Sequence, residues 1–370
     1  MKNIKAIIII YLVFGAAFYV FSKTIHLKTE NLNECFDITS FLTNSKDEHF
    51  LFSFRTNKMF KFDKNGEFVK YFGGRGVGPG ELKRVLFMSH NPSNDFLYFP
   101  EAFSGLSRVS VFDSEGNFKN YMDLELKHSE KNSILKLVFL EDGSFYTVLS
   151  ERVGWEPRGK VYLTREKYSL LYFDKKGKLK STVYTTFQNR EVADRPRMGG
   201  PRVLFLPSII CRKTPPGNIY IGKTDENEFH LYSKNGIKLC TSKLDMKREL
   251  LSEEEFNSAK SELSDNLKGD SRMHWLAKQM IKLKYKPIYH NFFVLPQYLA
   301  VIKIERESNL GLTKQSRVIL FDEKGREITM KKIKGYVMNV SNNRLYIKEY
   351  NEDGDELFRI EDFNVQSLHK

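Results

Sequence analysis

Between residues 24 and 361 the chain is dominated by short runs in which apolar and polar residues alternate with a period of two, each run ending at Gly, Asn, Asp or Ser. That is the pattern of half-buried β-strands joined by tight turns. One phrase recurs within it: a strand that ends in an aromatic residue, then Asp-x-x-Gly, then another strand. Its copies are Phe62-Asp63-Lys64-Asn65-Gly66, Phe112-Asp113-Ser114-Glu115-Gly116, Phe173-Asp174-Lys175-Lys176-Gly177, Tyr232-Ser233-Lys234-Asn235-Gly236 and Phe321-Asp322-Glu323-Lys324-Gly325. The chemistry is that of a hairpin, because Asp or Ser can bond its own backbone two residues on and Gly supplies the positive φ that closes the turn. A calcium loop would need further spaced carboxylates and a closing Glu, which these segments lack.

Two more strand-like runs precede each phrase: Cys35 to Leu42 with His49 to Phe54, Val85 to Ser89 with Phe96 to Phe99, Leu135 to Leu140 with Ser144 to Leu149, Val203 to Ile210 with Asn218 to Gly222, and Asn291 to Leu295 with Tyr298 to Ile304. The repeating unit is therefore four antiparallel strands. A sixth unit starts at Tyr336 to Val340, continues through Arg344 to Glu349 and Glu356 to Glu361, and ends one strand short. The alternating segment Thr24 to Asn31, ahead of the first complete unit, supplies a strand to close the ring. These units predict an all-β fold, a six-bladed β-propeller closed by the N-terminal strand, in which radial repetition leaves few sheet edges exposed.

The turn glycines advance by 50, 61, 59 and then 89 residues, and the excess falls where the period changes from 2 to 3.6, at about 247–286. Ser252-Glu253-Glu254-Glu255 reads as a capping box. Phe256, Ala259, Leu263 and Leu267 then share one helical face, and Met273, Leu276, Ala277, Met280 and Ile281 share a second. A two-helix insertion between blades 4 and 5 is predicted, its apolar faces available either to the propeller or to a partner.

The glycine-rich stretch Gly73-Gly74-Arg75-Gly76-Val77-Gly78-Pro79-Gly80-Glu81-Leu82 looks like a phosphate loop, but no Gly-Lys-Ser/Thr follows and the next residues read as a strand. It fits better as the corner between the first two blades. With Phe72 ahead of it, and Arg108-Val109-Ser110-Val111-Phe112-Asp113-Ser114-Glu115-Gly116 one blade later, it resembles the repeat of NHL-type propellers, particularly the exported bacterial six-bladed β-propeller family. The resemblance spans roughly residues 24 to 365 and is close to the consensus only at this first junction. It implies a binding or scaffold propeller, mostly without known catalysis.

Residues 1–23 read as a signal peptide or signal anchor: Lys2 and Lys5 precede an apolar run from Ala6 to Phe21. Either way the body, 24–370, is expected to be exported, anchored through the N-terminal segment if that remains uncleaved. The three cysteines, Cys35, Cys211 and Cys240, are read best as small buried hydrophobes, one disulfide being the alternative. The formal charge of +13, from 59 basic and 46 acidic residues, favours an anionic partner.

Propeller geometry gathers the connections between blades on the same face as the loops between second and third strands. That face is predicted to carry Arg75 and Arg84, an Arg152 to Lys167 loop with Trp155 and Arg158, an Asn189 to Arg202 loop with Arg190, Arg195, Arg197 and Arg202, and the helical insertion. Residues 151 to 202 hold thirteen Lys/Arg against six Asp/Glu. Arginine forks beside a tryptophan suit carboxylates, sulfates or phosphates; pairing of the arginines with nearby Glu151, Glu156, Glu191 and Asp194 is the alternative. The expected partner is a protein or an anionic glycan, without catalysis, metal or cofactor. Nucleic acid is not expected, because export removes that partner. The rival reading is a metal-dependent hydrolase or lyase, lactonase-like or amidating-lyase-like, with His290, Asn291, Asn132 and Asn339 near the tunnel; they form no recognisable ligand set.

Overall fold

In a computed structural model the described residues are 24–29, 32, 34–83, 85, 87–101, 108–126, 132–158, 161–193, 209–214, 217–257, 261, 285–295, 298–305, 315–322, 324–341, 344–351 and 355–363. They build six four-stranded antiparallel sheets. Blade 1 is β2 (Ile38–Thr43), β3 (His49–Ser53), β4 (Lys58–Phe62) and β5 (Phe68–Gly73), from the inner strand outward. Blade 2 is β6 (Ser89–Asn91), β7 (Phe96–Pro100), β8 (Arg108–Phe112) and β9 (Phe118–Asp123). Blade 3 is β10 (Asn132–Phe139), β11 (Phe145–Arg158), β12 (Val161–Phe173) and β13 (Leu179–Ala193). Blade 4 is β14 (Ile209–Lys213), β15 (Ile219–Lys223), β16 (Glu228–Tyr232) and β17 (Lys238–Lys243). Blade 5 is β18 (Asn291–Val294), β19 (Leu299–Glu305), β20 (Gln315–Phe321) and β21 (Glu327–Lys334). Blade 6 is β22 (Tyr336–Ser341), β23 (Arg344–Tyr350) and β24 (Glu356–Asp362), completed on the outside by β1 (Thr24–Leu27).

The ring is closed by the N-terminal strand, as the unit count requires: Thr24 pairs with Glu361 and Leu27 with Phe358 in an antiparallel ladder. Each recurring turn works as its chemistry dictates. The Asp63 carboxylate accepts the backbone N–H groups of Asn65 at 2.8 Å and Glu67 at 2.9 Å, and Gly66 N–H returns to Asp63 O at 3.0 Å. Asp113, Asp174 and Asp322 repeat the arrangement, and Ser233 offers its hydroxyl oxygen to Ile237 N–H instead. Burial pushes the Asp113 carboxyl up, but donors from Asn117 and Lys119 outweigh it and hold the group at about 2.

Each turn also docks on the preceding blade. Gly66 takes φ +87°, and a Cβ there would lie 2.2 Å from His26 O on β1. Glycine is thus required both by the backbone conformation and by the close approach, which Lys28 N–H seals by donating to Gly66 O at 3.0 Å. The aromatic residue before the turn feeds the core: Phe62, Phe112, Phe173 and Phe321 are all buried. Six hydrophobic clusters form, one at each junction between neighbouring blades. Ile25 and Leu27 of β1 enter the cluster between blades 6 and 1 beside Phe41, Phe60 and Phe358, so closure rests on apolar burial as well as on the ladder.

Blade 2 departs from expectation. Its inner strand is only Ser89–Asn91, and Val85 makes an isolated bridge to Glu101. Val85 and Met88 are buried in the cluster between blades 1 and 2, so their apolar character reflects packing rather than a continuous ladder. The cysteines are free: Cys35 and Cys211 are buried, whereas Cys240 is exposed because nearly all of outer strand β17 faces solvent. The capping box forms, with Glu255 N–H donating to Ser252 Oγ at 3.0 Å and Ser252 N–H to Glu255 Oε2 at 3.0 Å. Residues 253–257 are helical; the expected second helix and the segment 1–23 lie outside the described residues. No described helix is long and apolar enough to cross a membrane.

Candidate binding face and central channel

The glycine corner has the backbone geometry of an anion cradle, and its own carboxylate fills it. Val77 and Gly78 N–H groups donate to Glu81 Oε2 at 2.9 and 2.8 Å, and a Cβ on Gly76 would stand 2.0 Å from that oxygen. The corner is anchored by Asn57 Nδ2 donating to Leu82 O at 2.9 Å and by Gly74 N–H donating to Asn57 O at 2.9 Å. Asn57 belongs to the connection between β3 and β4, so the blade-to-blade corner and the second-to-third-strand loop do share a face. Arg75 is exposed there, with one guanidinium nitrogen donating to Arg55 O at 3.0 Å.

The first expected arginine loop of blade 3, Arg152 to Lys167, is instead largely strand, and the second starts as strand up to Ala193, its remaining residues lying outside the described residues. Inner strand β10 stops pairing at Asn132 with Glu151, but β11, β12 and β13 continue as a three-stranded ribbon to the rows Arg158–Val161 and Val161–Ala193. The seven residues from 152 to 158 carry it about 20 Å past the blade. Gly154 sits at a bulge opposite Arg165, and Pro157 is tolerated because β11 is an edge strand once β10 has ended. One cross-strand row joins Trp155, Thr164 and Arg190. At the ribbon's base the Arg165 guanidinium lies 4.4 Å from the centre of the half-exposed Phe187 ring. Arg84, Arg195, Arg197 and Arg202 lie outside the described residues, as do the side chains of Trp155, Arg158 and Arg190.

This placement also redistributes the charge. Lys175, Lys176, Lys178 and Lys180 belong to the Asp174 turn at the opposite end of the blade. Residues 151–167 and 186–202 then hold nine Lys/Arg against five Asp/Glu. On the same face, the root of the insertion, where Leu250 bridges Tyr285 and Ile288 N–H donates to Thr224 O at 2.6 Å, borders an acidic cleft of about 380 Å³. Asp225, Glu226, Glu228 and Arg248 line it, so the face is acidic at blade 4.

Around the axis the inner strands have a ladder partner on one side only, and their remaining carbonyls need donors. Side chains of neighbouring blades supply them. Ser89 Oγ donates to Leu137 O at 3.0 Å, and Asn339 Nδ2 to Phe41 O at 3.3 Å; Ser40 Oγ accepts Met88 N–H at 3.2 Å. At two junctions the donor is a cation: Lys136 Nζ lies 3.5 Å from Cys211 O, and Arg212 donates to Phe292 O at 2.8 Å and to Asn291 Oδ1 at 2.6 Å while lying 4.4 Å from the Phe293 ring centre. Ser40, Lys136 and Asn339 each follow a bulge in their strand, a device that re-aims a side chain. Burial, reinforced by the Arg212 charge, pushes the Lys136 ammonium down to about 7, and burial pushes Arg212 down to about 10.

The four residues of the rival metal reading are not brought together as a ligand set. Asn291 and Asn339 serve the junctions just described, His290 N–H donates to Ile302 O at 2.8 Å, and the Asn132 side chain lies outside the described residues. Among the described residues no three His, Cys, Asp or Glu groups are placed to hold a metal ion. The channel cations were missed in the sequence because Lys136 and Arg212 sit singly in short strands. Only the strand bulge and the ring order join them.

No protein-family model and no curated protein matches this chain. Solved structures do. A member of a domain family of unknown function from Bacteroides vulgatus superposes with a TM-score of 0.53 at 13% identity, over 92% of this chain and 96% of that one. A Bacteroides fragilis protein named as exported gives 0.50 at 12% identity, over 93% and 95%. The shared fold is the six-bladed β-propeller. A streptogramin B lyase also matches, with a TM-score of 0.42 at 9% identity over 93% of this chain and 98% of that one. Likenesses this distant establish architecture and leave activity to the site.

Proposed function

We propose that this chain is an exported, non-catalytic binding propeller that recognises an anionic glycan through the basic ribbon of blade 3. The observation that carries the reading is the continuation of β11, β12 and β13 past their blade, with Trp155 and Arg190 in one cross-strand row. An aromatic ring offers a platform for a sugar face, and guanidinium forks pair with carboxylate or sulfate groups. Arg158, Arg195, Arg197 and Arg202 extend the same basic stretch along the chain, and Arg75 stands exposed on the corner of the neighbouring blade on the same face. Export is supported by the basic and apolar N-terminal segment and by the name of the Bacteroides fragilis neighbour. Retention by an uncleaved N-terminal anchor would place this face outside the membrane. An acidic protein segment is the alternative partner.

The test compares two variants of equal charge change. Arg158→Glu with Arg190→Glu alters the ribbon; Lys175→Glu with Lys178→Glu alters the opposite end of the same blade. With heparin as a sulfated polysaccharide probe, the ribbon variant is expected to bind at least tenfold more weakly and the turn variant to stay within about threefold of the native protein. Equal losses in both would reduce the interaction to net charge and overturn the reading. Loss of heparin binding to neither, with an acidic peptide bound through the ribbon, would favour the protein partner.

A further inference from the structure

We propose that the central channel holds a small-oxyanion site between Lys136 and Arg212, at the junctions of blades 3, 4 and 5, taking a carboxylate or a tetrahedral sulfate or phosphate group. The neighbouring junctions show what the backbone requires: Ser89 and Asn339 satisfy equivalent carbonyls with neutral groups. Two cations exceed that requirement, and they come from adjacent inner strands, β10 and β14. Among the described residues neither lies within ion-pair distance of a carboxylate, in a chain whose other half-buried and buried cations are commonly paired, as Lys61 is with Glu48 and Glu115. Two like charges that meet at one carbonyl, Cys211 O, in half-buried positions are costly unless an anion joins them.

The donors fit such a guest. Of the five guanidinium N–H bonds of Arg212, three are directed to Phe292 O, Cys211 O and Asn291 Oδ1, which leaves two; the Lys136 ammonium has three and spends one, weakly, on Cys211 O. Asn291 Oδ1 accepts from one guanidinium nitrogen and the Phe293 ring centre lies 4.4 Å from the guanidinium carbon, so the fork is fixed before any ligand arrives. The bulge at Leu135, between Ile134 and Lys136, re-aims the lysine, which an unbroken strand would not do. The site is independent of the blade 3 ribbon and of the proposal made for it.

Thermal unfolding in sodium sulfate, sodium acetate and sodium chloride at matched ionic strength tests the site. The native protein should gain several degrees in sulfate or acetate over chloride, saturably, and the arm with the larger gain identifies tetrahedral or planar oxyanion chemistry. Lys136→Met should lose that gain while remaining at least as stable as the native protein in chloride, since an unpaired cation has been removed. Lys136→Gln, which keeps a donor, serves should the methionine variant misfold, and should lose most of the gain. The sulfate response should also fall between pH 6 and pH 9, as Lys136 loses its proton beside Arg212 and Cys211 of β14, with Tyr336 of β22 facing Arg212. An equal response in native and Lys136 variants, or the same melting temperature in all three salts, would overturn the proposal.

Discussion

A single buried side chain shows how strictly this ring is specified. His49 is fully buried in β3, with Nδ1 2.8 Å from Thr43 Oγ1 and Nε2 without a partner. Burial is the largest cause, followed by the nearby Arg344 cation, that pushes its pKa from 6.5 down to about 4. A depressed histidine pKa means that the unfolded chain takes up the proton first. Its stabilising contribution is complete above about pH 6.5 and is lost as pH falls towards 4, by up to about 3 kcal/mol. The urea midpoint should therefore decline across that window, and His49→Gln should flatten the decline. His90, also held below its ordinary value by burial, adds a slope common to both proteins, so the difference isolates His49. Identical slopes would show that His49 is not neutral in the fold. At this scale the sequence was informative where a residue serves its own turn, as Asp63 does, and uninformative where its partner comes from another blade, as with Lys61 or Arg212.

Among elements, the recurring hairpin was legible because its signal is local: an aromatic strand end, an Asp that caps its own backbone and a Gly with positive φ. Closure by β1 was legible by counting, since five complete units and a sixth lacking one strand leave a single place for Thr24–Leu27. The ribbon was not. Gly154 and Pro157 in β11 read as loop residues, yet a bulge and an open edge accommodate them. The seam between turn and preceding blade was also hidden, because His26 and Gly66 are forty residues apart. It yields a direct comparison. Gly66→Ala forces a Cβ to 2.2 Å from His26 O at φ +87°, whereas Gly74 has φ +135° but no atom within 4 Å of its Cβ position. Both substitutions bear a backbone cost of about 1–2 kcal/mol. Only the first should add the cost of displacing β1, and calorimetry should find Gly66→Ala the less stable by a clear margin. Equal melting temperatures would mean that the turn of blade 1 does not bear on the closing strand.

At the level of the molecule, two polarities emerge from one repeat. The face with the blade-to-blade corners carries the strand ribbon of blade 3 and an acidic cleft at blade 4, while the opposite face is given to hairpin turns that bind their own aspartates. The glycine corner that resembles a nucleotide cradle is closed by its own Glu81 carboxylate, which is why the proposed anion sites lie elsewhere, on the ribbon and in the channel. The basic stretch was visible along the sequence, but its extent was overstated there: four of its lysines belong to the other end of the blade, a separation that only strand direction reveals. The most direct test of the binding account is hydrogen–deuterium exchange of the full chain with and without heparin. Slowed exchange is expected in the ribbon, residues 152–158, 161–167 and 187–193, with unchanged exchange in the Asp63, Asp113, Asp174 and Asp322 turns. Protection confined to those turns, or spread evenly over both faces, would contradict it.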